Sequence, residues 1–281
     1  MTATVVPAET TAVPAGVRRW GGFGSGAGMV WLVRLAFIVV VLALWQGFAG
    51  GPKSTLPTDV VSKPTAVAAA FWHLVTGGEV FAALGSTALA TVYSLLIAIP
   101  IGALLALLTA HRFGRWLFEP IITIAYSIPK VGLISLMVIL LGVSQATHIV
   151  LVTSAVVFVY YFGARQALDE LDQNRVIAFR LMGASWWKVA RSLVLGYAVP
   201  QLFAASRVAV PLAFATEVFA ELRVTSSTGL GVLLEQFTNN FDAASAMAVM
   251  IFILVLGYLL DVVLRDLLRR YTESIGLSNQ L

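Results

Sequence analysis

Cysteine is missing from the 281 residues, and charged side chains are scarce at 11% of the total. The first lack excludes disulfides, thiolate metal sites and cysteine nucleophiles. The second excludes a water-facing globule, because soluble domains carry about 25% charge and so thin a polar coat cannot cover one. Catalytic patterns are lacking as well: the chain has no G-x-S-x-G and no H-E-x-x-H. His73, His111 and His148 fall in different loops or interfaces without ligand spacing, so no metal site is expected. A G-x-x-x-x-G-K-[ST] phosphate loop is also absent. Gly51, Pro52, Lys53 and Ser54 only look like the end of one, without the leading glycine or a strand–loop–helix setting.

What is abundant is apolar: 59% of the residues are hydrophobic. They come in runs of roughly twenty, the length that crosses ~30 Å of hydrocarbon. A membrane barrel would show ten-residue alternation instead. An all-α integral membrane protein with six transmembrane helices is expected. The spans fall at about 30–49, 84–110, 117–142 with an interruption at Pro129, 146–164, 200–220 and 243–264.

Basic residues set the orientation. With the N-terminus inside, the inner side holds Arg18, Arg19, Arg112, Arg115, Arg165, Arg175, Arg180, Lys188, Arg191, Arg265, Arg269 and Arg270. The outer side holds only Lys53, Lys63 and Arg223. Cytoplasmic loops retain Lys and Arg, so the layout is N-in and C-in. The same asymmetry accounts for the net charge of +4 without nucleic acid as a partner. Residues 1–28, rich in Ala, Thr, Pro and Gly, read as a disordered cytoplasmic tail ahead of a transmembrane domain over 29–281. No charged start leads directly into a short apolar core, so a signal peptide is not expected.

Two stretches outside the spans have structure of their own. Residues 64–75 read as a short amphipathic outer helix opened by a proline. Residues 165–199 form a cytoplasmic loop, long for a helix–helix connection. Within it, 176–182 is helical in character and is closed by Gly183, the residue suited to the turn past a helix end. Trp186, Trp187, Lys188 and Arg191 then suit a helix lying at headgroup level. The picture is a helix projecting into the cytoplasm, a sharp turn, and a return along the membrane.

That loop resembles the one carried by permeases of ABC importers, with the pattern E-A-A-x-x-x-G-x9-I-x-L-P. The pattern falls on Ile177, Ala178, Phe179, Gly183, Leu193, Leu195 and Gly196, of which Ala178, Gly183 and Leu195 match outright. Ile177 replaces the glutamate, Phe179 the second alanine and Gly196 the proline. The third span around 127–142, Phe219 to Leu222, and Thr228 to Gly231 are similar to the nitrate/sulfonate/taurine-type group. A second proline common there is Ser135 here. The resemblance covers about residues 50–272 and implies a type I importer permease of the bacterial inner membrane, not itself an enzyme. It further implies a path subunit with an ABC ATPase in two copies, a second permease copy as a homodimer, and an external solute-binding protein. ATP and Mg would sit on the ATPase, with no cofactor on this chain. Ile177, Ala178, Phe179, Arg180, Gly183, Ala184 and Ser185 would couple to the ATPase, through a more apolar contact than the usual glutamate makes.

Charges within spans are costly and face protein or water rather than lipid. Lys130, beside Pro129 and within a turn of Tyr126 and Ser127, is expected either to line an anion path with Tyr126, Ser127, Arg207 and Glu217 or to sit in an ion pair, for example with Glu217. Arg207 either joins that path or snorkels to the inner headgroups. Glu221 reads as a solvated outer rim residue or a contact for the binding protein. The expected substrate is a small organic or inorganic anion, such as a sulfonate, nitrate or an aromatic or pyrimidine-type solute. A self-sufficient secondary transporter or channel is the alternative, but no convincing inverted repeat is visible.

Overall fold

The computed structural model describes residues 27–50, 62–189, 191–192, 195–224 and 228–274. The expected tail lies outside these, except that Ala27 and Gly28 already belong to the first helix. Regular structure among the described residues is helical throughout: α1 (Ala27–Gly50), α2 (Pro64–Gly77), α3 (Glu79–Leu108), α4 (Arg112–Ser127), a 3-10 turn (Lys130–Leu133), α5 (Ile134–Leu141), α6 (Gln145–Asp169), α7 (Gln173–Leu181), α8 (Trp186–Val189), α9 (Leu195–Arg223), α10 (Leu230–Asn239) and α11 (Ala243–Ser274). Five stretches are long and apolar enough to cross a membrane, within α1, α3, α6, α9 and α11. α4 with Lys130–Leu141 makes a sixth if the two limbs count as one broken span.

α6 is the central element, flanked by α3 on one side and α9 on the other. Lipid tails are as apolar as leucine, so helices associate through close packing rather than through exclusion of water. Small residues permit it. A Cβ on Gly102 of α3 would lie 2.7 Å from the Tyr160 Cβ, and one on Gly163 of α6 would lie 2.8 Å from the Ala205 Cβ. Leu95, Ala98, Val152, Val156, Ala209 and Ala213 fill the resulting core. A second core joins α2, α3, α10 and α11, with Phe71 stacked on Phe252 at a centroid distance of 4.3 Å. α1 stands apart over most of its length, its apolar residues exposed except for Trp45 and Ala49 near its outer end. It is tied at its outer end by Gln46 to Thr65, with the Thr65 amide 3.4 Å from the Gln46 Oε1.

Three expectations change. The interruption at Pro129 is a break, with the two limbs meeting at 83°. Proline cannot donate to the helix ladder, and Ile128 before it takes an extended backbone (φ −69°, ψ 127°), as pre-proline residues prefer. The inner helix ends run further than the spans, with α6 reaching Asp169 and α9 starting at Leu195. Helices rising 1.5 Å per residue over such lengths exceed the hydrocarbon and emerge from it. α10 was not anticipated, and it joins the second core through Leu230, Leu233, Leu234 and Phe237.

Candidate functional site: a projecting cytoplasmic helix and a polar clasp at the outer end

α7 begins at Asp172, whose carboxylate accepts from the Asn174 amide at 2.9 Å. That bond satisfies one of the donors a helix start leaves free. It ends where Gly183 turns at φ +79°, the Gly183 amide donating to the Arg180 carbonyl and the Ala184 amide to the Phe179 carbonyl, each at 3.0 Å. These are the two bonds of a Schellman stop, and they need a residue at ease with positive φ. The expected helix is therefore present with the expected terminator. α8 is its chief packing neighbour rather than any spanning helix.

The seven residues expected to couple lie along this hairpin. Ile177, Ala178, Arg180, Gly183 and Ser185 are exposed, and Phe179 and Ala184 are half-buried. Ile177 is 54% and Leu181 83% exposed, and four-residue spacing puts them on one face. Met182 beside them is 73% exposed. The tip of the hairpin is therefore apolar and exposed.

The base of the hairpin is anchored by polar bonds. The Arg175 guanidinium donates to the Tyr197 hydroxyl at 3.0 Å, joining α7 to the start of α9. The Gln201 amide donates to Glu170 at 2.9 Å. Arg165 on α6 donates to the Thr109 carbonyl at the end of α3 at 2.9 Å and pairs with Asp169 at 2.5 Å. Arg115 of α4 reaches the same Asp169 at 3.4 Å. The inner ends of four spanning elements are thus tied around the root of α7.

At the 83° break, Tyr126, Ser127 and Lys130 come together as expected. The Lys130 ammonium donates to the carbonyls of Ala125 at 2.5 Å, Ile128 at 2.7 Å and Tyr126 at 3.2 Å. It also lies 5.1 Å from the centre of the Phe158 ring. The cation caps the orphaned carbonyls at the end of α4, where the helix dipole favours positive charge. The expected pairing with Glu217 does not form; Lys130 has no ion pair among the described residues. Tyr126 packs edge-on against Phe158 and Phe162, and the Ser127 hydroxyl donates back to the Thr123 carbonyl at 2.9 Å.

Glu217 lies elsewhere, 1% exposed, with Oε1 3.3 Å from the His148 Nδ1. Its Oε2 is buried without a hydrogen-bond partner among the described residues. It faces the bundle interior, away from Lys130, because α6 brings His148 onto the same level of α9. Arg207 is exposed on α9. No three or more His, Asp or Glu residues come together as a metal cage among the described residues.

Glu221 overturns its expected place on a solvated rim: it is 3% exposed. Its Oε1 accepts from the Thr87 hydroxyl of α3 at 2.7 Å, and its Oε2 from the Gly231 amide at 2.8 Å. The Thr87 oxygen in turn accepts from the Leu230 amide at 3.0 Å. One carboxyl group thereby satisfies the first turn of α10 and holds α3, α9 and α10 together. Gly229 and Gly231 are needed for it. A Cβ on Gly229 would strike the Glu221 carboxylate, and one on Gly231 would strike the Val218 carbonyl. The two separate sequence features, Phe219 to Leu222 and Thr228 to Gly231, are halves of one clasp.

A helical bundle with several apolar spans and one bent pair defines a multi-pass membrane protein. Residues 98–273 match the family model described as the binding-protein-dependent transport system inner membrane component, and the chain belongs to that family. It is 26% identical to a putative aliphatic sulfonates transport permease of Escherichia coli over 83% of this chain and 89% of that one. It is 27% identical to the taurine transport system permease of the same organism, over 69% of this chain and 70% of that one. A structure of the MetNI methionine ABC transporter in an inward-facing conformation shares the fold, with a TM-score of 0.54 and 22% identity over 71% of this chain and 96% of that one. The protein is a multi-pass permease component of an ABC importer in the bacterial plasma membrane.

Proposed function

We propose that the chain forms the translocation path of an ATP-driven importer and takes its power from a separate ATPase through α7. The observation that carries this is the exposed Ile177–Leu181 face on a helix rooted in four spanning elements. Rigid elements transmit rigid-body motion, so a push on α7 reaches the bundle through Arg175–Tyr197 and Glu170–Gln201. Ile177, Ala178, Phe179, Arg180, Gly183, Ala184 and Ser185 make the docking contact, and its centre is apolar. ATP and Mg belong to the ATPase, which acts in two copies on a homodimer of this chain. An external solute-binding protein delivers the substrate.

The substrate is a small anion, a reading supported by the names of the sulfonate and taurine relatives. Tyr126, Ser127 and Arg207 are the candidate path residues that remain exposed. Lys130 and Glu217 shape the path by holding the break and the α6–α9 contact.

Reconstitution in proteoliposomes tests this function. Labelled ethanesulfonate should enter only with the ATPase, the binding protein and ATP all present. Uptake by this chain alone, driven by a proton or sodium gradient, would establish a secondary transporter instead.

A further inference from the structure

A cleft of about 560 Å³ opens between the outer limb of the broken span and the end of α9. It is lined by Val131, Val138, Ile139 and Phe219, and its polar lining residues are Ser135 and Arg223. The volume is within the range of small-molecule sites, which combine apolar walls with a few convergent polar groups. By the charge layout this is the outer half of the molecule, where a solute arrives.

Arg223 is exposed and has no carboxylate partner among the described residues. Its guanidinium lies 5.7 Å from the centre of the Phe219 ring, one helical turn back. Stacking of this kind orders the guanidinium plane yet leaves N–H groups on its edge to meet an oxyanion. The Ser135 hydroxyl likewise makes no hydrogen bond among the described residues. The break at Pro129 is what brings it there, by turning α5 across the outer end of α9.

We propose that this cleft is an outer binding site for a small organic anion, with Arg223 and Ser135 on its oxyanion head and Val138, Ile139 and Phe219 around a short apolar tail. The proposal rests on the importer reading and gives its substrate class a place.

The absence of cysteine allows a direct test on the full chain in intact cells. Ser135→Cys is labelled with two membrane-impermeant methanethiosulfonates, the anionic sulfonatoethyl reagent and the cationic trimethylammonioethyl reagent. Their rate ratio cancels changes in thiolate fraction, and Thr76→Cys on the outer end of α2 corrects for the charge of the cell surface. The anionic reagent should be favoured several-fold over that control, as a nearby cation acting with opposite sign on the two reagents would give. Excess ethanesulfonate should slow it. Adding Arg223→Gln should abolish the preference, and Arg223→Lys should keep most of it. A ratio equal to the control, a ratio unchanged by Arg223→Gln, or a Ser135→Cys thiol closed to both reagents overturns the proposal. The labelling needs neither ATP nor ATPase, so its failure leaves the coupling role standing, and a failure of coupling leaves the labelling intact.

Discussion

Glu221 ties three helices together at the outer end of the bundle. Its two oxygens meet donors from α3 and α10 in a site sealed from solvent. Removing it orphans the Thr87 hydroxyl and the Gly231 amide, at about 1–3 kcal/mol for each buried donor. Glu221→Ala should therefore lower the detergent melting temperature of the chain, followed by tryptophan fluorescence, and Glu221→Gln should lower it less. An unchanged melt for Glu221→Ala would remove the clasp. Lys130 makes a parallel case. Lys130→Met should destabilise the chain by about 1–3 kcal/mol, the scale of charged hydrogen bonds, whereas Lys130→Arg should recover part of the loss. A Lys130→Met variant as stable as the parent would return the ammonium to a role in the path. The partners of the two carboxylates, Glu221 and Glu217, were not legible in the sequence. Thr87 is 134 positions from Glu221, and His148, which takes Glu217 from Lys130, is 69 positions from it. Chain separation of that size leaves no local pattern, and a carboxylate near a span end reads as solvated by default.

The elements were more visible. The apolar runs gave the spans, Pro64 opened α2, and Gly183 closed α7 as its conformational freedom implied. α10 could also have been found, since Leu230, Leu233, Leu234 and Phe237 repeat at helical spacing beside the Gly229–Gly231 turn. The size of the break at Pro129 could not, because proline removes a bond without fixing the angle that packing then chooses. Gly183 supplies the prediction proper to this scale. Gly183→Ala forces a Cβ into positive φ, a strain of about 1–2 kcal/mol confined to the hairpin. The bundle should melt unchanged while ATPase affinity in microscale binding assays falls several-fold. Equal affinity would show that the stop of α7 does not matter to docking.

For the whole molecule, the Glu221 clasp and the ties around α7 sit at its two ends, and the spans between them are held by small-residue packing with a few interhelical hydrogen bonds, among them Tyr160 to Ser206 at 3.2 Å. The inner end ties α3, α4, α6 and α9 to the root of α7, and the outer end ties α3, α9 and α10 through Glu221. On the proposed coupling, motion delivered at α7 would reach the outer clasp along α3 and α9, beside the cleft lined by Arg223. Everything depends on α7 meeting the ATPase through its apolar face. The most direct measurement is co-purification of the cognate ATPase with tagged chain carrying Ile177→Asp and Leu181→Asp, which add charge where both side chains are already exposed. The bundle should remain folded and the ATPase should be lost from the eluate. Undiminished ATPase on a variant that melts like the parent would contradict the account.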